Sequence, residues 1–339
     1  MDTAAVDYEL PAAAIAQRPV EPRDAARLLI DEGPGAPPRH GHIGDLPSLV
    51  RPGDVVVVNT TRVLPARLRT QRATGGAAEV LLLEPRQEAG PGTWEALVRP
   101  SRKLTPGTVL TFGPDLEVRV GEDLGEGRRL VEVVHPADRD LLEVLGVHGE
   151  VPLPPYITEP LADPERYQTT YSRQPASVAA PTAGLHLTDD VLDKVRAAGA
   201  EVAEVELVVG LGTFRPIAAD RVEDHRMHAE RYRVPAATMT ACERADRVVA
   251  IGTTTVRALE SAAATGSLEG RTDLFIHGAR PFAVVDTLLT NFHQPRSSLL
   301  VLVDAFVGPR WRSLYAEALA EGYRFLSFGD AMFLRGERG

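Results

Sequence analysis

Asp54-Val-Val-Val-Val-Asn59, entered through Gly53 and left through Thr60-Thr61-Arg62, is the stretch on which the fold turns. Four consecutive valines between a glycine and an asparagine read as a strand buried on both faces, the pattern of a parallel sheet covered by helices on either side. What comes next has a different rhythm. From about Val63 to Val151 short apolar runs alternate with turns: Glu79 to Glu84, Thr93 to Arg99, Thr108 to Phe112, Leu116 to Val120 and Arg129 to Val134. Strands this short and this closely spaced predict a small antiparallel barrel or sandwich. A helix over 138–145 closes the segment.

From about Pro152 strands alternate with helices again. Helices are predicted over 189–198, 237–245, 254–264, 298–306 and 311–321. Strands are predicted over 201–209, 247–251 and 283–289. Thr188 is placed to cap the first of these helices and Gly199 to end it. Alternation of this kind indicates a layered α/β/α domain. The valine strand belongs with these later strands, so residues 63–151 form a β-barrel domain inserted into a discontinuous α/β catalytic domain of 1–62 and 152–339. A short helical start is expected at the N-terminus.

Composition narrows the class. The 339 residues are 44% apolar and 25% charged, enough to bury a core and against disorder. The first residues, with Asp2, Asp7 and Glu9, lack the basic start and apolar run of a secretory signal, and no run is long enough to span a bilayer. Cys242 is the only cysteine, so no intrachain disulfide can form. A cytoplasmic, membrane-free monomer is the expectation. The net charge of −10 opposes a polyanion partner, yet local charge matters more than the total. Asn59 to Lys103 carries eight basic and four acidic residues, a local +4 that suits either a solvated strand face or a nucleic-acid surface.

Five places carry candidate polar groups, three of them at the ends of predicted strands. Gly252-Thr253-Thr254-Thr255 lies between a strand and a helix, where ligands gather in open α/β sheets and where free helix N–H groups meet anions; a threonine cap would read the same way. Arg257 and Glu260 follow on one helix face. Ser177-Val-Ala-Ala-Pro-Thr182-Ala-Gly184-Leu-His186 leads small residues to a histidine, which either exchanges protons or is structural. Leu289-Thr290-Asn291-Phe292-His293 leaves an apolar strand. Asp224-His225-Arg-Met-His228-Ala-Glu230 lacks the spacing of a zinc helix, so hydrogen bonding is expected there rather than metal. Asp330 ends the last strand. No phosphate loop, dinucleotide turn or nucleophile elbow is present, and Cys242 is expected to be incidental.

In order along the chain, these strings resemble the S-adenosylmethionine:tRNA ribosyltransferase-isomerase family of queuosine biosynthesis. The matching residues run from Tyr8 to Phe333. They include Glu9-Leu-Pro, Arg23-Asp24, Asn59-Thr-Thr-Arg62 with Pro65-Ala-Arg67, Pro152-Leu-Pro-Pro-Tyr-Ile157 and Ser177 to His186. Gly212-Thr-Phe, His225 with His228 and Glu230, Gly252-Thr-Thr with Arg257, Thr290-Asn-Phe-His293 and Gly329-Asp-Ala-Met332 continue the match. Thr60, Val208, His277 and Gln294 depart from the family's usual residues.

The resemblance implies a transferase and isomerase that joins ribose from S-adenosylmethionine to 7-aminomethyl-7-deazaguanine at the tRNA wobble position. Epoxyqueuosine forms, and adenine and methionine leave. It implies no metal and no redox cofactor, S-adenosylmethionine being the ribosyl donor. The sulfonium acidifies the adjacent ribose carbon, the departing adenine needs a proton, and the attacking amine must lose one. His186, His293, Glu260 and Asp330 are the candidates for those transfers. Thr182, Gly184, Gly252, Thr253, Thr254, Arg257, Asn291, His225, His228, Glu230 and Asn59 are the candidate substrate contacts, with Arg23, Arg62 and Arg67 facing phosphate or substrate. A free deazapurine acceptor, a non-catalytic nucleic-acid-binding protein on this fold, and a methyltransferase are the competing readings. The last would release S-adenosylhomocysteine.

Overall fold

The computed structural model describes residues 1–210 and 216–336, so Gly212, Thr213 and Phe214 of the strings above lie outside it. The chain forms two compact units. One comprises Met1–Thr61, Pro154–Gln174 and Ala180–Gly339; the other comprises Arg62–Leu153 and Pro175–Ala179.

The larger unit is built on a mixed sheet whose strands come from both sides of the insertion. β1 (Arg27–Ile30), β2 (Arg39–His42) and β3 (Asp54–Asn59) precede it. The strands from β4 (Thr61–Val63) to β12 (Gln174–Ser177) are not part of this sheet. β13 (Glu201–Leu207), β14 (Glu230–Arg233), β15 (Arg247–Ile251), β16 (Glu269–Thr272), β17 (Thr287–Asn291) and β18 (Ala331–Arg335) complete it. The order among the described residues is β16-β14-β13-β3-β15-β17-β18-β1-β2. The valine strand is central, with β13 and β15 both parallel to it and β17 parallel to β15.

All six residues of β3 are buried. Val56 and Val58 join Leu28, Ile30, Val249, Ile251, Leu289 and Phe333 in one core, closed by Val191, Leu192 and Val195 of α3 (Asp189–Ala197). Short α1 (Leu46–Leu49) packs beside α3. On the opposite face, α4 (Ala236–Arg244) and α5 (Thr253–Thr265) cover β3 and β13. α3 is capped by Thr188, whose hydroxyl accepts the Val191 N–H at 3.2 Å. Beyond α5 come α6 (Ser298–Val307), capped by Ser297, and α7 (Trp311–Ala320).

The smaller unit holds β5 (Arg67–Gln71), β6 (Ala77–Pro85), β7 (Thr93–Arg99), β8 (Val109–Thr111), β9 (Glu117–Gly125), β10 (Arg128–Val134) and β11 (Gly149–Glu150). They pair antiparallel in the order β11-β5-β6-β7-β10-β9-β8. The Thr70 hydroxyl of β5 donates to the Thr111 carbonyl of β8 at 2.8 Å, so the two sides of the sheet meet and it curls into a small barrel. Leu68, Val80, Leu82, Val98, Val118 and Val131 fill the interior. α2 (Leu141–His148) lies three residues later than the sequence suggests, because Asp140 is its N-cap and accepts the Leu142 N–H.

Two other expectations are corrected. The N-terminal segment makes only 3-10 turns, at Thr3–Val6 and Ala12–Ala14, since a four-residue turn held by Asp2 gives way to Pro11 before an α-helix can propagate. The strand expected from Ala283 begins at Thr287, because the amides of Ala283, Val284 and Val285 are bound by Glu260 instead of a neighbouring strand.

Candidate active site

The carboxyl ends of β3, β15 and β17 point the same way. Ala250 pairs with Val57 and Ile251 with Leu289, so one residue further on Asn59, Gly252 and Thr290 stand in a row at the strand ends. The chain reverses direction of travel across the sheet here, with β13 on one side of β3 and β15 on the other, the position at which open α/β sheets hold ligands.

A small cavity opens over this row. Its walls are Ala180, Pro181, Thr182 and Ala183 from one loop, Gly252, Thr253 and Thr254 from the start of α5, Thr290 near the end of β17 and His293 just after it, and the apolar side chains of Val209 and Leu299. The three polar loops singled out in the sequence therefore converge. Its volume is about 40 Å³, room for roughly three waters at ~10–15 Å³ each. It would enclose one end of a nucleoside sulfonium rather than all of it. A larger hollow of about 760 Å³ lies at the opposite, amino ends of β3 and β13, lined by Gly53, Asp54 and Glu201. The strand-end cavity is the better candidate, because convergent hydroxyls, an imidazole and free helix amides line it.

Gly252 allows the loop to turn into α5. Its φ of 87° is in the region that favours glycine, and among the described residues no side chain caps the helix, so its first N–H groups remain available. Behind the wall sit two almost inaccessible amides. Asn59 donates to the Leu207 carbonyl at 3.0 Å and to the Thr254 hydroxyl at 3.2 Å. Asn291 donates to the Leu326 carbonyl at 3.2 Å, and its Oδ1 lies 3.0 Å from the Thr182 hydroxyl.

The four proton-transfer candidates separate. The His293 ring lines the cavity, with Nε2 2.9 Å from the Thr290 hydroxyl. Its main chain is fixed from both sides, the N–H donating to the Tyr315 hydroxyl at 3.0 Å and the carbonyl accepting from Tyr8 at 2.5 Å. Burial pushes the His293 pKa down to about 3, so the ring is neutral near pH 7. His186 stands behind Asn291, Nε2 to Nδ2 3.0 Å, and outside the cavity lining. Burial, then the nearby Arg324, Arg166 and Arg23, push it down to about 3 as well.

Glu260 and Asp330 are held elsewhere. The Glu260 carboxylate accepts the N–H groups of Ala283, Val284 and Val285 at 2.8–3.1 Å. Asp330 accepts those of Arg27 at 2.9 Å and Arg324 at 2.8 Å, tying two chain segments together. Both geometries use the carboxylates to anchor backbone, because an ionised carboxylate inside a protein must be saturated with donors.

The remaining candidates are also dispersed. Arg23 clamps the carbonyls of Gln168, Leu185 and Glu165, each at 2.9 Å. Arg257 is paired with Glu230, which also accepts the Gly210 N–H at 2.7 Å. His228 is exposed, and half-buried His225 packs edge-on against Phe275 with ring centroids 5.3 Å apart. Among the described residues no three His, Cys, Asp or Glu side chains gather to hold a metal ion. Gly184 lies beneath the loop, where an added Cβ would fall 2.1 Å from the Tyr171 hydroxyl. Arg62 and Arg67 belong to the smaller unit. Cys242 is buried, which pushes its thiol up to about 12, far from a thiolate.

Thr290 is a wall residue that the candidate set omits, although its string was noticed. Alternation along β17 leaves open which of Thr290 and Asn291 faces the ligand. The Val209 and Leu299 contributions carry no chemical signal of their own.

An S-adenosylmethionine:tRNA ribosyltransferase-isomerase from Rubrobacter xylanophilus is 52% identical over 338 residues, 99% of this chain and 98% of that one. The protein of the same name from Moorella thermoacetica is 51% identical over 341 residues, 97% and 98% of the two chains. The crystal structure of an S-adenosylmethionine tRNA ribosyltransferase from Thermotoga maritima matches with a TM-score of 0.55 at 35% identity, over 97% of this chain and 99% of that one. The profile of the queuosine biosynthesis protein family covers residues 3–334, and with nearly the whole length accounted for on every measure, the chain belongs to that family.

Proposed function

We propose that the protein transfers and isomerises the ribosyl group of S-adenosylmethionine onto the aminomethyl group of 7-aminomethyl-7-deazaguanine at the wobble position of tRNA, producing epoxyqueuosine, adenine and methionine. The observation that carries this reading is the convergence of Thr182, Gly252–Thr254 and His293 on one cavity at parallel strand ends. The amides at the start of α5 suit a carboxylate, the threonine hydroxyls suit polar groups of the same molecule, and the neutral imidazole of His293, its basicity held low by burial, offers a hydrogen-bonding nitrogen beside them.

Of the four proton-transfer candidates, His293 is assigned the contact with substrate, since its ring is on the wall. His186 is assigned a positioning role behind Asn291, and Glu260 and Asp330 keep loops in place. S-adenosylmethionine is consumed as a substrate, with no further cofactor. The tRNA backbone is met by the smaller unit, where Arg99, Arg102 and Lys103 are exposed and, among the described residues, have no acidic partner within ion-pair distance. The protein acts in the cytoplasm; no described helix is long and apolar enough to cross a membrane.

The test is incubation with S-adenosylmethionine and tRNA bearing the aminomethyl base, followed by mass analysis of the base and assay of adenine. A mass gain on the tRNA base with one adenine per event supports the proposal. S-adenosylhomocysteine as the product would replace it with methyl transfer, and modification of the free base alone would replace the acceptor.

A further inference from the structure

Neither Asn59 nor Asn291 can touch a ligand directly, being 1% and 2% exposed. Each nevertheless touches a hydroxyl that lines the cavity. The direction of those two hydrogen bonds follows from what surrounds the amides.

Asn59 lies at the end of β3 against β13. Its Nδ2 faces the Leu207 carbonyl at 3.0 Å, while its Oδ1 accepts the Leu207 N–H at 3.3 Å, the Thr61 N–H at 3.2 Å and the Thr61 hydroxyl at 3.1 Å. Rotating the amide by 180° would set oxygen against carbonyl oxygen and NH₂ against N–H, so one orientation alone is satisfied. The Thr254 hydroxyl must then accept from Nδ2. Its own hydrogen has no acceptor among the described residues and is left for the cavity.

Asn291 is fixed in the same manner with the opposite result. Its Nδ2 faces the carbonyls of Leu326 at 3.2 Å and Asp330 at 3.4 Å. It also meets the His186 Nε2 at 3.0 Å. Oδ1 is thereby turned toward Thr182, whose hydroxyl must donate to it. Only lone pairs of Thr182 remain for the cavity.

We infer that Asn59 and Asn291 are positioning residues that set hydrogen-bond polarity in the cleft, making Thr254 a donor and Thr182 an acceptor toward the bound molecule. A ligand seated between them needs an acceptor for Thr254 and a donor for Thr182. Resting on the proposed function, the part of S-adenosylmethionine that meets this demand without ambiguity is its amino-acid end. The carboxylate can only accept and goes to Thr254 beside the start of α5; the ammonium can only donate and goes to Thr182. Ribose hydroxyls could fit either way round and would not require fixed polarity. The cavity's small volume also suits such an end group.

The test is calorimetric titration of the full chain with S-adenosylmethionine. Thr254→Val is expected to weaken binding on the order of tenfold or more, and Thr254→Ser by under about twofold, because a hydrogen bond to a charged group is at stake. Asn59→Ala should weaken binding in the wild-type background and add under about twofold in the Thr254→Val background. Asn291→Ala should behave the same way with Thr182→Val. Additive losses in these cycles would mean that the asparagines act on structure in general, and would overturn the inference. Should an asparagine variant fail to fold, the ligand decides: wild type and Thr254→Val should bind decarboxylated S-adenosylmethionine equally, and an undiminished loss would reject the assignment. Failure of the wild-type chain to bind S-adenosylmethionine at all would instead remove the proposed function on which this rests.

Discussion

Arg257 and Glu230 form an ion pair inside the α/β unit, with side chains only 4% and 6% exposed. They come from α5 and β14, and they join the helix that begins at the cavity to the outer part of the sheet. The Glu230 carboxylate also receives the Gly210 N–H, one residue from Val209 on the cavity wall. Removing one partner leaves a charge stranded where water cannot reach it. Glu230→Ala is therefore expected to lower stability by ~3–5 kcal/mol, as is usual for a broken buried pair. Urea unfolding of the variant measures this; a loss below about 1 kcal/mol would show that water reaches the pair.

Glu260, one helical turn from Arg257, was a candidate acid or base, yet its three amide bonds make it an anchor. Glu260→Gln keeps the shape but replaces one acceptor oxygen by a donor facing amide hydrogens. It should cost ~2–3 kcal/mol of stability through weakened charged hydrogen bonds. Turnover at a temperature well below unfolding should remain within a few-fold of wild type. A loss of 10²-fold or more without destabilisation would return Glu260 to the chemistry.

These two residues show what a linear sequence conveys. Asp54 to Asn59 was legible as a buried central strand because four valines leave no polar face. Thr188 was legible as a cap because capping is local. β5, Arg67 to Gln71, was missed: only Leu68 among its five residues is apolar and buried, so no hydrophobic alternation is visible. The roles of Glu260, Asp330 and Arg23 were not legible either, because each is set by backbone groups from distant segments. A charged residue beside a strand end looks the same in sequence whether it meets substrate or a carbonyl. Convergence of the threonine loops was readable from strand-end placement; the asparagines that orient them depend on cross-strand register.

Acid should destabilise the protein through its buried histidines. His186 and His293 have folded pKa values near 3, against an ordinary value near 6.5 in the unfolded chain. Between those limits the unfolded state binds more protons, so stability rises with pH. The neutral rings' contribution is complete above about pH 6.5 and is lost as pH falls toward 3, at up to ~1.4 kcal/mol per pH unit for each ring. Urea midpoints from pH 4.5 to 7 should rise, and His293→Gln should flatten the slope. An unchanged slope would mean that the ring is solvated in the folded protein.

The smaller unit offers a separate test through salt. Arg102 and Lys103 follow β7 and are exposed, whereas Arg69 is engaged by Glu79 at 3.5 Å and Glu150 at 3.4 Å. Phosphate contacts release counterions, and each one lost reduces the salt dependence of binding by roughly one unit of slope. Arg102→Ala with Lys103→Ala should weaken tRNA binding at low salt and lower that slope by up to about two. The affinity for S-adenosylmethionine alone should not change. Filter binding between 50 and 200 mM salt reads both quantities, and an unaltered slope would move the tRNA contact away from this turn. Removing the charge of Arg69 is the contrasting case: its cation already has two acidic partners, so Arg69→Gln should leave the slope nearly as it is.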